Sequence, residues 1–252
     1  MNPDEASSHF DADLSRLPGL TWLPWIGRSF HERPKQQRLL VVGESHYFHG
    51  TTLEERESNR QKWLVYPNYT RDVVSECLIN CEWPNRTLDT IPRLLFRTTE
   101  IDRVRLWADS AYYNIVQRMM DYARDGSPER PSWEDFLAGW KIFGQVVKII
   151  QPSHCVFIGV TAANSFNQWI ATQNEFISSV STTQKLGGTW ARMARLEGAG
   201  VNTELVFVKH LGLPFSWSKW NDYLYAQHPE FMKWLDAESY QRNTTSREFH
   251  CQ

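Results

Sequence analysis

Glu44 and His210 are the residues of this chain whose types and positions best suit the cleavage of a polar bond. Glu44 directly follows residues 38–43, His210 directly follows residues 204–209, and both runs are short, apolar and typical of buried strands. A carboxylate can stabilise a developing positive charge or orient a water molecule, and an imidazole can donate a hydrogen bond to a developing anion. We therefore treat these two residues as a candidate catalytic pair.

Asn114 and a group of aromatic residues could complete a binding pocket around this pair. The amide of Asn114 offers one acceptor and two donors, a combination that can bind the edge of a base or of another amide. Each polar residue also has an ordinary alternative: a surface turn for Glu44, a hydrogen-bonded core position for His210, and backbone hydrogen bonding for Asn114. Aromatic faces come from Tyr47, Phe48, Tyr112 and Tyr113, and core packing is the favoured alternative for at least two of them.

Several common catalytic and cofactor motifs are missing from the sequence. Neither GxxxxGK[ST] nor GxGxxG occurs, and GxSxG, HExxH and the zinc signature of deaminases are absent as well. The four cysteines, Cys77, Cys81, Cys155 and Cys251, lack the paired spacing of a structural zinc or iron–sulfur site. We therefore expect no metal and no cofactor.

Alternating strand and helix signals surround the candidate residues. Strands are predicted at 38–43, 111–117, 154–159 and 204–209, although 111–117 could also be helical. Helices are predicted at 70–82, at 88–98, from an N-cap at Ser132 to Pro152, from an N-cap at Thr161 to about Ala171, and from Lys219 onward. Residues 1–37 are expected to be a lead-in, 51–66 a mobile loop or lid, 124–131 a connector, and 178–188 a polar loop.

This alternation predicts a single α/β domain over residues 1–252, with a central four-stranded parallel sheet flanked by helices. In such sheets the ligand binds beyond the carboxyl ends of the strands. Glu44, His46, Thr161 and His210 all follow predicted strands. We therefore expect them to converge at one edge of the sheet.

The composition is that of an ordinary globular protein. The chain has 252 residues, of which 41% are hydrophobic and 22% charged, and this excludes disordered, collagen-like and coiled-coil classes. A net charge of −2 argues against a uniformly basic nucleic-acid-binding surface but leaves room for a local basic cleft. No apolar run approaches about 18–20 residues, and the N-terminus is polar, so we expect a cytoplasmic protein without a membrane partner.

Four segments, in order, resemble motifs of the uracil-DNA glycosylase superfamily. LLVVGESHY is similar to its first motif, a strand followed by Gly and an acid, and YYNIVQ resembles the strand that carries a base-reading Asn. VFIGVTAANSF resembles a strand–turn–helix segment, and VKHLGLPFS resembles the terminal motif, in which a His precedes a wedge loop. The resemblance extends over about residues 38–225. It implies a glycosylase that hydrolyses the N-glycosidic bond of a flipped base in DNA and leaves an abasic site.

The resemblance also implies residue roles. Glu44 would support bond cleavage, and His210 would hydrogen-bond the departing base. The base-binding set is Ser45, His46, Tyr47, Tyr113 and Asn114, with Tyr47 as a pocket wall and Asn114 as the reader of the base. The DNA-binding set, in and after a duplex-penetrating loop, is Leu211, Leu213, Phe215, Ser216, Trp217 and Lys219; Ser45 and Ser216 are also candidates for phosphate contacts, as are Lys185, Arg192 and Lys209.

The chain departs from the family pattern in ways that argue against uracil as its base. His46 stands where a Pro is usual, residues 211–213 replace the Pro-Ser order after His210, and the iron–sulfur cysteines of some branches are missing. The pattern is similar to a divergent bacterial branch that includes anti-phage glycosylases of modified bases. This resemblance implies double-stranded DNA as the partner. It also implies a modified base as the target, which could be a glucosylated hydroxymethylcytosine.

Two other functions remain open from the sequence. One is a non-catalytic binder of DNA or of modified bases on the same fold. The other is a small-molecule hydrolase that uses Glu44 and His210, which is disfavoured because Leu213, Phe215 and Trp217 would then be exposed without a purpose. Lys209 is an alternative nucleophile for Schiff-base chemistry, but in a strand its side chain should point away from that of His210.

Overall fold

The computed structural model describes residues 6–47, 52–83, 85–122, 127–212, 214–238 and 240. Its strands are β1 Trp25–Ile26, β2 Leu39–Gly43, β3 His46–Tyr47, β4 Ala111–Asn114, β5 Met119–Met120, β6 His154–Ile158, β7 Val180–Leu186, β8 Thr189–Gly198 and β9 Val201–Val208. Its α-helices are α1 Asp11–Leu14, α2 Leu53–Leu64, α3 Tyr69–Val73, α4 Arg86–Asp89, α5 Ile91–Phe96, α6 Arg103–Asp109, α7 Trp133–Ile150, α8 Ala163–Ile170, α9 Trp217–Gln227 and α10 Pro229–Ala237. A π-helical segment, Val74–Ile79, continues α3, and Phe30–Glu32 and Lys35–Gln37 form 3₁₀ turns.

The central sheet has seven strands in the order β1-β4-β2-β6-β9-β8-β7. Strands β4, β2, β6 and β9 run parallel, whereas β1, β8 and β7 pair antiparallel with their neighbours. The predicted α/β class with a mostly parallel sheet is confirmed, but the predicted number of four strands is wrong. The unpredicted strands are the short edge strand β1 and the hairpin β7–β8, and a separate small sheet pairs β3 with β5.

The two faces of the sheet are covered by separate hydrophobic clusters because side chains alternate along each strand. In β2, Leu39 and Val41 belong to one cluster and Leu40 and Val42 to the other. Helices α7 and α8 pack on the face of Leu40, while α5, α9 and α10 cover the face of Val41. Burial on both faces explains the continuous apolar runs of the parallel strands.

Helix α7 forms as predicted. The Ser132 hydroxyl accepts a hydrogen bond from the Asp135 N–H at 3.2 Å, and the Asp135 carboxylate accepts one from the Ser132 N–H at 2.8 Å. This capping box fixes the start of the helix. The predicted apolar face, Phe136, Trp140, Phe143, Val147 and Ile150, is buried.

Several local predictions need correction. Residues 53–64 form helix α2 rather than a loop, because Thr52 and Glu55 make a capping box. Thr161 does not cap α8, whose N-cap is Ala162. The polar loop expected at 178–188 is largely strand β7 and its turn, and the predicted second strand ends at Asn114 rather than 117. Among the described residues no helix is both long and apolar enough to cross a bilayer.

Candidate active site at the carboxyl edge of the sheet

A cavity of about 410 Å³ lies at the carboxyl edge of the parallel strands. Its lining includes Glu44 directly after β2, Asn114 at the end of β4, Ile158 at the end of β6, and His210 shortly after β9. A cavity of this size is within the range of about 300–1,000 Å³ that is typical of small-ligand sites. The structure therefore brings the predicted catalytic pair and the predicted base reader to one cavity.

The backbone around Glu44 is fixed by an extension of the β2–β4 pairing. The Gly43 carbonyl accepts a hydrogen bond from the Ile115 N–H at 3.0 Å, and the Glu44 carbonyl accepts one from the Val116 N–H at 2.9 Å. Gly159 lies beside the carboxylate with a left-handed φ of +138°, and a Cβ at this position would lie 3.5 Å from Glu44 Oε2. These hydrogen bonds thus fix the backbone from which the Glu44 side chain reaches the cavity.

The tautomer of His210 follows from a single backbone hydrogen bond. The Gly212 N–H donates to His210 Nδ1 at 3.2 Å. Nδ1 therefore acts as the acceptor, and the neutral ring carries its proton on Nε2. A Cβ on Gly212 would lie 2.6 Å from Thr87 Oγ1, so glycine allows this close turn. His210 consequently presents an N–H donor to a ligand.

Arg130 links the electrostatics of the two candidate catalytic groups. Burial raises the pKa of Glu44, and the positive charge of Arg130 partly opposes this change. Burial lowers the pKa of His210, and Arg130 lowers it further. A carboxylate with a raised pKa is a stronger base, and an imidazole with a lowered pKa stays neutral at neutral pH.

Asn114 is oriented by Tyr112. The Tyr112 hydroxyl donates a hydrogen bond to Asn114 Oδ1 at 3.1 Å, and both side chains line the cavity. A Cβ on Gly43 would lie 2.1 Å from Asn114 Oδ1 and 2.3 Å from the Tyr112 hydroxyl, so only glycine permits this arrangement. With Oδ1 engaged, Asn114 presents its amide N–H groups to a ligand.

His46 and Tyr47 both line the cavity, but they have different surroundings. His46 is buried, and its Nε2 lies 2.9 Å from Thr70 Oγ1. Its ring lies edge-on to Trp22 and Tyr69. The Tyr47 hydroxyl donates to the Glu129 carbonyl at 2.8 Å. His46 is therefore anchored in the wall, while Tyr47 joins the wall to the segment that carries Arg130.

Two residues of the base-binding and DNA-binding predictions are placed elsewhere. Tyr113 is completely buried in the cluster under α7 and does not line the cavity. The reason is strand alternation, because Tyr113 and Asn114 are neighbours in β4 and point to opposite faces. Leu211 is also buried, in the cluster that contains Trp220, so it does not protrude from the molecule. Of the remaining predicted cavity residues, Ser45 does line the cavity.

The segment after His210 is not the exposed aromatic loop that the sequence suggested. Phe215 is half-buried and stacks on Trp220, with ring centroids 6.2 Å apart. Trp217 is half-buried at the start of α9, whereas Ser216 and Lys219 are exposed. The Lys209 ammonium donates to the Pro214 carbonyl at 2.9 Å and does not line the cavity. Leu213 lies outside the described residues.

Sequence reasoning missed several residues that line the cavity. They are the aromatic side chains of Tyr69, Trp83 and Tyr122, together with Arg130 and Thr87. Arg130 belongs to the segment that was interpreted as a connector. Its position between Pro128 and Pro131 was the available signal, since prolines stiffen a segment and can hold a charged side chain in place.

A second cavity of about 440 Å³ adjoins the first. The two share Tyr69, Val73 and Trp83 as lining residues. The second cavity also contains the carboxylates of Asp72 and Glu76, and Glu76 accepts a hydrogen bond from the Trp83 indole at 3.2 Å. Within the described ranges, no group of three His, Cys, Asp or Glu side chains is arranged to hold a metal ion.

Comparisons with known proteins give no independent assignment. No protein-family model matches the chain, and no curated protein is significantly similar to it.

Proposed function

We propose that this protein is a DNA glycosylase that hydrolyses the N-glycosidic bond of a flipped base and leaves an abasic site. The observation that carries the proposal is the single cavity lined by Glu44, His210 and Asn114 at the ends of three parallel strands. These groups supply a carboxylate, a neutral hydrogen-bond donor and an amide, and aromatic side chains line the walls of the cavity around them. Together they match the needs of a nucleobase that leaves as an anion.

In this mechanism the target nucleotide first leaves the base stack at a cost of a few kcal/mol. Stacking on aromatic walls such as Tyr47 and Tyr122 offsets about 1–3 kcal/mol of that cost. Bond cleavage then builds positive charge on the sugar, which the Glu44 carboxylate stabilises, and negative charge on the base. His210 Nε2–H donates a hydrogen bond to the departing base as the C1′–N bond breaks. A water molecule oriented by Glu44 then forms the new C1′–O bond, its proton passes to the Glu44 carboxylate, and the released base anion takes up a proton from solvent.

The adjoining cavity supports a modified base rather than an unmodified one. It adds space of about 440 Å³ next to the base cavity, and the two cavities share Tyr69, Val73 and Trp83 as lining residues. Its aromatic rings and the carboxylates of Asp72 and Glu76 suit a polar substituent with hydroxyl groups. We therefore propose a modified cytosine as the target, in line with the departures from the uracil-specific sequence pattern.

The test is mass spectrometry of the bases that the protein releases from unmodified DNA and from DNA that contains modified cytosines. Glu44→Gln and His210→Ala should each lower base release by at least about 100-fold, because each removes a charge or donor that acts in the transition state. Glu230→Gln, which changes an exposed carboxylate on α10, serves as the matched control and should leave base release unchanged.

Three outcomes separate the alternatives. Base release that depends on both Glu44 and His210 supports the proposal. Full activity of both variants would show that the assigned roles are wrong. Tight binding of modified DNA without any base release would favour the non-catalytic binder on the same fold.

A further inference from the structure

The hairpin β7–β8 extends past the edge of the sheet that carries the cavity. Strand β8 pairs antiparallel with β9, with Arg192 opposite Phe207. Continuing this register brings Trp190 level with Lys209, one strand or about 5 Å to the side of the segment that leads into His210. The turn at Gly187 and Gly188 lies still further out, so the tip of the hairpin projects beyond the same edge of the sheet at which the cavity lies.

The tip is exposed, and the strand below it is anchored to the core. Gly187 and Gly188 have φ values of +52° and +86°, as a two-residue hairpin turn requires, and a Cβ on either would meet nothing within 4 Å. Below the tip, Leu186 packs against the hydrophobic core, and the Thr183 hydroxyl lies 2.9 Å from the Tyr223 hydroxyl. A projecting element on such a support can contact a partner with little loss of conformational entropy.

Trp190 is the most prominent apolar group on this element. It is 51% exposed, whereas six other tryptophans of the chain are fully buried. Its cross-strand partner is Lys185, whose ammonium lies 5.8 Å from the centre of the ring. A large aromatic side chain flanked by a cation is suited to stacking on a nucleobase next to a phosphate.

The charge of the hairpin has the sign that DNA requires. The hairpin, residues 180–198, contains three cations, Lys185, Arg192 and Arg195, and one carboxylate, Glu197, although the whole chain has a net charge of −2. Arg195 pairs with Glu197 and Glu204, so the positive charge available to a partner comes from Lys185 and from Arg192, whose guanidinium also donates to Asn164 Oδ1. The exposed edge strand β7 also offers hydroxyl and amide groups, from Ser181, Thr182 and Gln184. Lys, Arg, Ser, Thr and Gln side chains supply most contacts to phosphate oxygens.

We propose that the β7–β8 hairpin is a second DNA-contacting element, in which Trp190 stacks on a base beside the extracted nucleotide while Lys185 and Arg192 face phosphates. Strand alternation places these three side chains on the sheet face that carries α8, opposite to the face of His210. A duplex that lies across the edge therefore meets the cavity on one side and the hairpin on the other. This inference rests on the proposed glycosylase function. In it Trp190, rather than the buried Leu211, is the side chain that contacts the base stack of the duplex.

The experiment measures the binding of a fluorescein-labelled duplex with one mismatched base pair. Trp190→Ala should weaken binding by about 5- to 150-fold, whereas Trp190→Phe, which retains an aromatic ring, should keep most of the affinity. Lys185→Gln should reduce the slope of log Kd against log salt by about one. The control Lys233→Gln, at an exposed position on α10, should leave that slope unchanged.

A second measurement separates this inference from the proposed function. A single-stranded oligonucleotide that is just long enough to fill the cavity should lose its base equally fast with the wild type and with Trp190→Ala. If the wild type releases bases but Trp190→Ala binds the duplex as tightly as the wild type does, the hairpin inference is wrong and the proposed function stands. If the wild type binds no duplex but releases bases from the oligonucleotide, only the hairpin inference is wrong; if it neither binds the duplex nor releases any base, both are wrong.

Discussion

At the scale of single residues, the site is defined by protonation states that the fold sets in advance. The Gly212 N–H selects the His210 tautomer, and burial changes the pKa of Glu44 and that of His210 in opposite directions. In the proposed mechanism the active form has Glu44 ionised and His210 neutral. Both conditions hold only at a pH above the pKa of Glu44 and that of His210. We therefore expect kcat/KM to fall as the pH is lowered through these values, and this fall is the acid limb of the pH–rate profile.

Arg130 should control the position of this acid limb. Its positive charge lowers the pKa of Glu44 and also that of His210. Arg130→Gln removes the charge, so both pKa values rise and the acid limb of kcat/KM moves to higher pH. The measurement is a pH–rate profile of base release for the wild type, Arg130→Gln and Arg130→Lys.

The lysine variant keeps the charge, so its profile should stay close to that of the wild type. An acid limb that moves to lower pH in Arg130→Gln, or that does not move, would contradict the assigned electrostatic role.

At the scale of elements, Arg118 joins the segment that carries Arg130 to the start of α7. Its guanidinium makes two hydrogen bonds to the Asp135 carboxylate, at 2.6 and 2.7 Å, and one to Glu129 at 2.7 Å. The backbone carbonyl of Glu129 in turn accepts a hydrogen bond from the Tyr47 hydroxyl. One side chain thus connects a helix N-terminus, the cavity wall and the Arg130 segment.

Arg118→Gln should therefore impair the site more than the stability. The Arg118 side chain is 43% exposed, so the loss in free energy of unfolding should be about 1 kcal/mol. Base release should fall by roughly ten- to hundredfold, because Tyr47 and Arg130 lose their fixed positions. Urea unfolding and steady-state kinetics measure the two effects.

Arg16→Gln is the matched control, since in the described part of the chain the Arg16 side chain makes an exposed ion pair with Asp13 and no other. Equal activity in Arg118→Gln and Arg16→Gln would show that the Arg130 segment holds its position without Arg118.

The same elements show what sequence reasoning could and could not predict. Glu44, Asn114 and His210 were found because parallel strands end at one edge, a rule that needs only strand positions. Arg130 was missed because its place depends on the β3–β5 pairing and on Arg118, which are contacts between distant segments. Strand β7 was missed because its side chains are mostly polar and exposed, so its sequence lacks the alternation that marks a half-buried strand.

At the scale of the whole molecule, a histidine pair at the opposite edge of the sheet should determine stability in acid. His154 begins β6 and stacks on Phe231, with ring centroids 4.3 Å apart, and the His228 ring lies edge-on to it at 6.0 Å. Burial lowers the pKa of His154 to about 4 and that of His228 to about 4. In the unfolded chain both should titrate with a pKa of about 6.5.

The sign of the effect follows from which state binds more protons. Between about pH 6.5 and 4 the two histidines are protonated in the unfolded chain but neutral in the folded protein. The free energy of unfolding should therefore fall as the pH drops through this range. Each histidine can contribute up to about 3 kcal/mol to this loss.

His228→Leu removes one titrating group, so the free energy of unfolding of this variant should depend less steeply on pH over this range. Urea unfolding at several pH values measures the slope. His9→Gln, at an exposed position, should keep the wild-type slope; an equally steep slope in His228→Leu would mean that acid acts on the fold through other groups.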